Sequence, residues 1–262
     1  MPKKLKTMVD ISMDVYKDFA YLYYAGPYVY SENMAKFLPR ILNKFETKPQ
    51  TLLDVACGDG RFSVMMAQQG MAVTGVDASK QMLHFAKERA RKANVDIDFV
   101  CQEMQHLSTK KKYDLVTCWF DSLNYLLTKS ELLKTFRTIS KHLNGDGLFI
   151  FDMNTIYSLS IRWRERNLWI EVDTNTIFEA HHGYEYNPRK KIATLKITGF
   201  VKRGKLWRRI VEVHRERGYT LSEIREGLKK AGLRDLACWG NIRRMTRPTR
   251  KSGRFWFVTQ HK

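Results

Sequence analysis

The sequence predicts an α/β protein: a doubly wound, mainly parallel sheet of seven strands with an antiparallel β-meander inserted after the fifth. Three observations predict it. Strand-like apolar runs alternate with helix-like periods through the first 150 residues, which is the pattern of βαβ units. The first run ends in a glycine-rich turn, Ala56-Cys57-Gly58-Asp59-Gly60. Beyond residue 174 the helical periods give way to long runs of period two joined by turns.

Each element has its own signal. Met34, Phe37, Leu38, Ile41 and Leu42 recur on one helical face, which predicts a helix over 31–45. Strand one is expected at 51–56, and the helix over 61–69 stops at Gly70. Strand two spans 72–77, and Asp77 or Ser79 caps a helix reaching 92. Strand three (97–101), strand four (113–119), a helix (129–143) and strand five (147–152) follow. The meander is read as strands 175–186, 192–202 and 206–217, with Phe178, Ala180, His182, Tyr184 and Tyr186 on one face by alternation. Thr220 and Glu223 form a capping box, Gly232 stops that helix, and strands at 235–239 and 254–260 complete the sheet. The resulting division is an N-terminal helical lid (1–46), a core (47–165 and 219–262) and an insert capping the substrate site (166–218).

Parallel sheets bind ligands beyond the carboxyl ends of their strands, and Asp54 to Gly60, Asp77, Glu103 and Asp121 all lie there. Glycine at 58 and 60 lets the main chain approach a ligand where a helix begins. A dinucleotide fingerprint fits less well, because Ser63 stands where a third Gly or Ala belongs.

Asp54, Cys57, Gly58 and Gly60 instead match motif I of the class I S-adenosylmethionine (SAM)-dependent methyltransferases, which this segment resembles. Asp77 matches that family's ribose-binding acid, Glu103 and Met104 its adenine contacts, and 113–121 its fourth strand and active-site exit. The resemblance implies a Rossmann-like fold and a SAM seat made by Tyr23, Tyr28, Asp54, Ala56, Cys57, Gly58, Gly60, Asp77, Ala78, Met82, Glu103, Met104, Trp119 and Phe120. Tyr23 and Tyr28 enter it through a tyrosine-bearing N-terminal segment like those that fold over the cofactor in many such enzymes. The segments 121–125, 214–219, 247–249 and 252–258 resemble a poorly characterised bacterial and archaeal subgroup, so the likeness covers about residues 15–260.

The formal net charge of +19 is unevenly spread. From His181 onward there are 22 Lys and Arg against 6 Asp and Glu, so the cofactor half is nearly neutral and the rest strongly basic. That asymmetry favours an anionic partner. The expected acceptor is a small anionic molecule under the insert, whose cations receive it; an RNA acceptor tracked by Arg243, Arg244, Arg247, Arg250 and Lys251, and a non-enzymatic scaffold for an acidic partner, are the alternatives. If the acceptor needs a general base, Asp121, His181, His182 and His214 are the candidates, Asp121 the best placed. Cys57, Cys101, Cys118 and Cys238 lack metal-ligand or disulfide spacing, no metal is expected, and the first three are read as buried strand residues. With no signal peptide and no membrane span in the sequence, a cytoplasmic protein is expected.

Overall fold

A strand covered by helices on both faces must be apolar almost throughout, and Leu52, Leu53 and Val55 of the first strand are fully buried. In the computed structural model, which describes residues 15–165, 168–173 and 177–262, helices α1 (Ala20–Ala25) and α2 (Tyr30–Lys44) precede that strand, β1 (Thr51–Val55). There follow α3 (Arg61–Gln68), β2 (Ala72–Asp77), α4 (Lys80–Lys92), β3 (Asp98–Cys101), β4 (Tyr113–Cys118), α5 (Lys129–His142) and β5 (Leu143–Asn154). The insert contains β6 (Leu168–Asp173), β7 (Ile177–Asn187), β8 (Ile192–Arg203) and β9 (Leu206–Arg217), after which α6 (Leu221–Lys230), β10 (Leu233–Trp239) and β11 (Arg254–His261) close the core.

The main sheet has the order β10-β11-β5-β4-β1-β2-β3, with β11 antiparallel to both neighbours. Its order reverses between β1 and β4, where a crevice opens at the strand ends. One helical layer packs through Phe136, Ile139, Ile224 and Leu228, the other through Met34, Leu38, Ile41, Phe62 and Met66. Local capping agrees with these positions. Ser79 Oγ accepts the amide of Met82 at the start of α4, and reciprocal capping boxes start α5 (Thr128 and Glu131) and α6 (Thr220 and Glu223).

Three expectations are corrected. The insert is a four-stranded antiparallel sheet in the order β6-β7-β8-β9, so a strand precedes the predicted meander; the start of the predicted strand at 175 and 176 lies outside the described residues. The single face drawn through β7 is broken. Gly183 has φ 63°, and the register with β8 shifts between His182 and Glu185. His182 therefore pairs Lys196, while Tyr186 pairs Ala193 on the opposite face. Finally Cys101 is exposed, because β3 is an edge strand, whereas Cys57 and Cys118 are buried.

Leu195, Ile197, Gly199 and Val201 share the inward face of β8 by alternation. Phe19 and Leu22 of the lid pack there with Ile197, Val201 and Ile210. The fit depends on Gly199, where a Cβ would stand 2.0 Å from Leu22 Cδ1. Gly199→Ala is expected to cost about 1–3 kcal/mol by overpacking; equilibrium denaturation measures it, and unchanged stability would contradict the packing of lid on insert.

Candidate functional site

Three left-handed residues shape the floor of the crevice: Ala56 (φ 55°), Gly58 (57°) and Gly60 (71°). The two glycines do different work. A Cβ at Gly58 would meet only Met82 Cε, at 3.3 Å, so its bare backbone serves the crevice. A Cβ at Gly60 would stand 2.8 Å from Ala86 Cβ, so this glycine brings α3 against α4 and does not line the cleft.

Below the floor, Asp54 is buried and its carboxylate accepts hydroxyl hydrogens from Ser63 (2.6 Å) and Thr117 (2.9 Å). Desolvation outweighs these bonds and pushes its pKa up to about 6. Ser63, the residue that spoils the dinucleotide fingerprint, is thus the partner of Asp54. Asp77, at the end of β2, accepts the amides of Gly58 and Ser79, each at 2.8 Å, and burial raises its pKa. Beside it the thiol of Cys57 is held protonated, first by burial and then by Asp77, Asp54 and Asp59.

The floor is fastened to the lid through Asp59, which is buried and pairs with Arg61 (3.2 Å) and Arg89 (2.7 Å). Arg61 also donates to the carbonyls of Tyr28 (2.6 Å) and Tyr24 (3.3 Å). From the insert, Glu212 accepts the amides of Tyr16 (2.8 Å), Asp18 and Phe19 (both 2.9 Å), so a β9 carboxylate caps the lid helix.

At the exit of β4, Phe120 and Asp121 both have positive φ, 57° and 54°. For a phenylalanine this is an outlier that surrounding structure must impose. The buried carboxylate of Asp152 imposes it by accepting both amides, at 2.7 and 3.0 Å, while it also pairs with Arg254. The Phe120 ring consequently stacks on Tyr30 at 4.8 Å, with the Arg254 guanidinium over both rings.

The crevice is lined by Val15, Tyr16, Tyr23, Ser31, Asp54, Ala56, Cys57, Gly58, Asp59, Phe62, Asp77, Ala78, Met82, Met104, Trp119, Phe120, Ser122 and Tyr125. Eleven sequence-predicted cofactor residues are therefore gathered here: Tyr23, Asp54, Ala56, Cys57, Gly58, Asp77, Ala78, Met82, Met104, Trp119 and Phe120. Tyr28 stands behind, stacked on Tyr23 at 4.5 Å. Glu103 points away, with its side chain 61% exposed and 3.2 Å from His106 Nδ1. Of the candidate bases, Asp121 is buried behind the lining and engaged by Arg254 (2.7 Å) and Asn154 (2.9 Å). His182 bonds Thr198 Oγ1 on the far face of the insert, and His181 pairs Ile197 in register on the inward face.

His214 contacts the lining at Tyr125 and Tyr16. It is buried, its Nδ1 is 2.8 Å from the Tyr125 hydroxyl, and its Nε2 is 3.5 Å from Glu212. Tyr125 is in turn 3.3 Å from the Tyr16 hydroxyl. Tyr16, Tyr125 and Ser122 were not singled out from sequence, and neither were Arg254, Glu212 or Glu216. The inward side of β9 also differs from the basic roof expected there: Glu212, His214 and Glu216 alternate along it, and all are buried. Glu216 shares Asn154 Nδ2 with Asp121, and burial beside that acid raises its pKa.

The lining suits SAM. Phe62, Met82, Met104, Trp119 and Phe120 offer apolar surface for a base and a thioether chain, Asp77 acceptors for ribose hydroxyls, and Gly58 a bare approach. Trp119 Nε1, buried in this wall with no hydrogen-bond partner among the described residues, is a donor left over for a ligand. Among those residues no group of three or more His, Cys, Asp or Glu is placed to hold a metal, and no helix is long and apolar enough to cross a membrane.

Fold and crevice together define a SAM-dependent methyltransferase of class I, and comparison with known proteins agrees. A family described as "Methyltransferase domain" matches residues 52–147. A Geobacillus sp. (strain WCH70) protein named "Putative methyltransferase GWCH70_2453" is 31% identical over 254 residues, 94% of this chain and 99% of that protein. The chain belongs to the class I SAM-dependent methyltransferases. Among solved structures, a SAM-dependent methyltransferase from Clostridium acetobutylicum is similar with a TM-score of 0.81 and 26% identity, over 94% of this chain and 98% of that one. A sugar N-methyltransferase from Streptoalloteichus shares the fold at a TM-score of 0.72 and 17% identity, over 92% of each chain.

Two outcomes follow from this geometry. Asp77→Ala should weaken SAM binding by about 1–3 kcal/mol, through lost hydrogen bonds to the ribose and a loosened Gly58 turn; titration calorimetry checks it, and an unchanged dissociation constant would displace the ribose from this acid. Burial lowers the pKa of His214 from 6.5 to about 4. The unfolded chain therefore binds this proton first, so the contribution is complete above pH 6.5 and is lost as pH falls toward 4, by at most about 3 kcal/mol. The difference between wild-type and His214→Gln stability profiles isolates it from Asp54, Glu212 and Glu216, whose raised pKa values act in the opposite sense.

Proposed function

We propose that this methyltransferase acts on a small acceptor carrying an anionic group, by in-line displacement, in the chamber between Phe120 and β9. The observation that carries the reading is the pair of tyrosines, Tyr16 and Tyr125, which line the crevice beneath a roof made by the lid and the insert. Such a roof suits a small molecule better than a polymer. The sugar N-methyltransferase with the same fold supports a small polar acceptor, and the basic half of the chain supports the anionic group.

SAM, when bound, supplies a methyl group already activated on a sulfonium. The protein's task is then to orient and dehydrate the acceptor. Tyr23 and Phe120 exclude water, and the hydroxyls of Tyr16 and Tyr125 hold the nucleophilic atom. A proton released there passes to Tyr125 as its own proton moves to Nδ1 of His214, which is neutral at pH 7 and so able to accept. His214 acts through Tyr125 and is a positioning residue.

Labelled methyl transfer from SAM into a small-molecule extract, and separately into total RNA, tests the proposal. Label is expected in acidic small molecules. Tyr125→Phe should lower their kcat by about 10–100-fold with little change in SAM affinity. Label confined to RNA would overturn the small acceptor, and a fully active Tyr125→Phe would remove the relay.

A further inference from the structure

A second cleft, of about 570 Å³, opens at the same edge of the sheet, between α2, the end of β5 and the 240–253 connection. Arg162, Arg243, Arg247, Lys251 and Arg254 line it, and among the described residues no Asp or Glu does. The stretch 240–254 holds six Lys and Arg and not one acid. Elsewhere several arginines are held by carboxylates: Arg61 and Arg89 by Asp59, Arg208 by Asp18, Arg225 by Asp235. In this cleft, only Arg254 has carboxylate partners among the described residues, Asp121 and Asp152. Like charges held together repel one another, so an arrangement that keeps them together favours an anion between them.

The backbone does keep them together. Asn241 Oδ1 accepts the Arg244 amide at 3.0 Å, the Gly240 amide donates to Thr246 O at 2.9 Å, and Ser252 Oγ accepts the Thr249 amide at 2.9 Å. Arg40 ties the outer side by donating to the Arg243 carbonyl at 2.6 Å. Gly253 admits Arg162, since a Cβ there would stand 2.5 Å from the guanidinium Nη1. Thr249 and Ser252 add hydroxyls to the lining. On its inner side the cleft ends at Tyr30 and Arg254, the stack whose other ring, Phe120, faces the cofactor crevice. A ligand group held here is one aromatic stack away from the methyl-transfer chamber.

We infer that this cleft binds the phosphate of a phosphomonoester acceptor, with Arg162, Arg247 and Lys251 taking its oxygens. A dianion with three acceptor oxygens matches several forked donors, where a single carboxylate would leave most of them unused. The cleft is bounded by α2 and the end of β5, and so presents these cations to one compact group, where a polynucleotide needs an extended track. The inference deepens the small, anionic acceptor proposed above and rests on it, but its test measures binding without methyl transfer, so the two fail separately.

Titration calorimetry of the full chain with inorganic phosphate, and with a ten-nucleotide uridine RNA, tests it. Phosphate is expected to bind at one site, about tenfold or more weakly in Arg247→Gln and in Arg162→Gln, and equally well in the control Lys230→Ala. Wild-type melting temperatures establish that the variants are folded. An absence of phosphate binding, or equal binding by both cleft variants, would overturn the inference. RNA bound more tightly than phosphate, and weakened by the same two substitutions, would also overturn it and give the cleft to a polynucleotide.

Discussion

The carboxylate of Asp152 is the constraint on which the acceptor side of the molecule depends. It is completely buried, and an ionised carboxylate in such a place is stable only if hydrogen bonds and an opposite charge compensate its lost water. Two amides and Arg254 do so. The amides belong to the consecutive left-handed residues Phe120 and Asp121, whose strain is thereby tied to the satisfaction of a buried charge. The bond to Arg254 brings the first residue of the last strand over the same turn. Three elements distant in sequence, β4, β5 and β11, are thus coupled at one atom group, and the Phe120 ring is aimed as a result.

A second coupling makes lid and insert one structure. Glu212 on β9 caps the short helix that Arg61 and Arg89 fasten to the floor of the crevice through Asp59 and the lid carbonyls. A six-residue helix has little stability of its own in water. Its order comes from these contacts and from Leu22 against Gly199. The glycine-rich turn that floors the crevice and the lid above it are therefore joined through Asp59 and Arg61.

What the sequence made legible was local. Asp54, the two glycines and Asp77 fall within 24 residues, and strand-turn-helix geometry is encoded over such distances. The same holds for the capping box of α6 and for the seven core strands. What stayed hidden depends on long-range pairing. Asn154 joins Asp121 to Glu216, and Glu212 reaches Tyr16 across 196 residues. No periodicity announces such partners. Even Ser63 reads as a defect in a glycine pattern until Asp54 is seen beside it. The bulge at Gly183 is an intermediate case, for an isolated glycine in a strand was a readable signal, and alternation drawn straight through it misplaced the tyrosines. Glu103 shows the converse: a position fixed by motif order whose side chain turns to solvent and His106.

Cys57 gives the crevice a chemical property of its own. A thiolate is a far better nucleophile than a thiol, and a methyl sulfonium is an alkylating agent. The wall of the crevice contains such a sulfur, yet burial and three neighbouring carboxylates keep the thiol in its unreactive form. The acids that floor the crevice therefore also keep this thiol from reacting with an alkylating methyl donor.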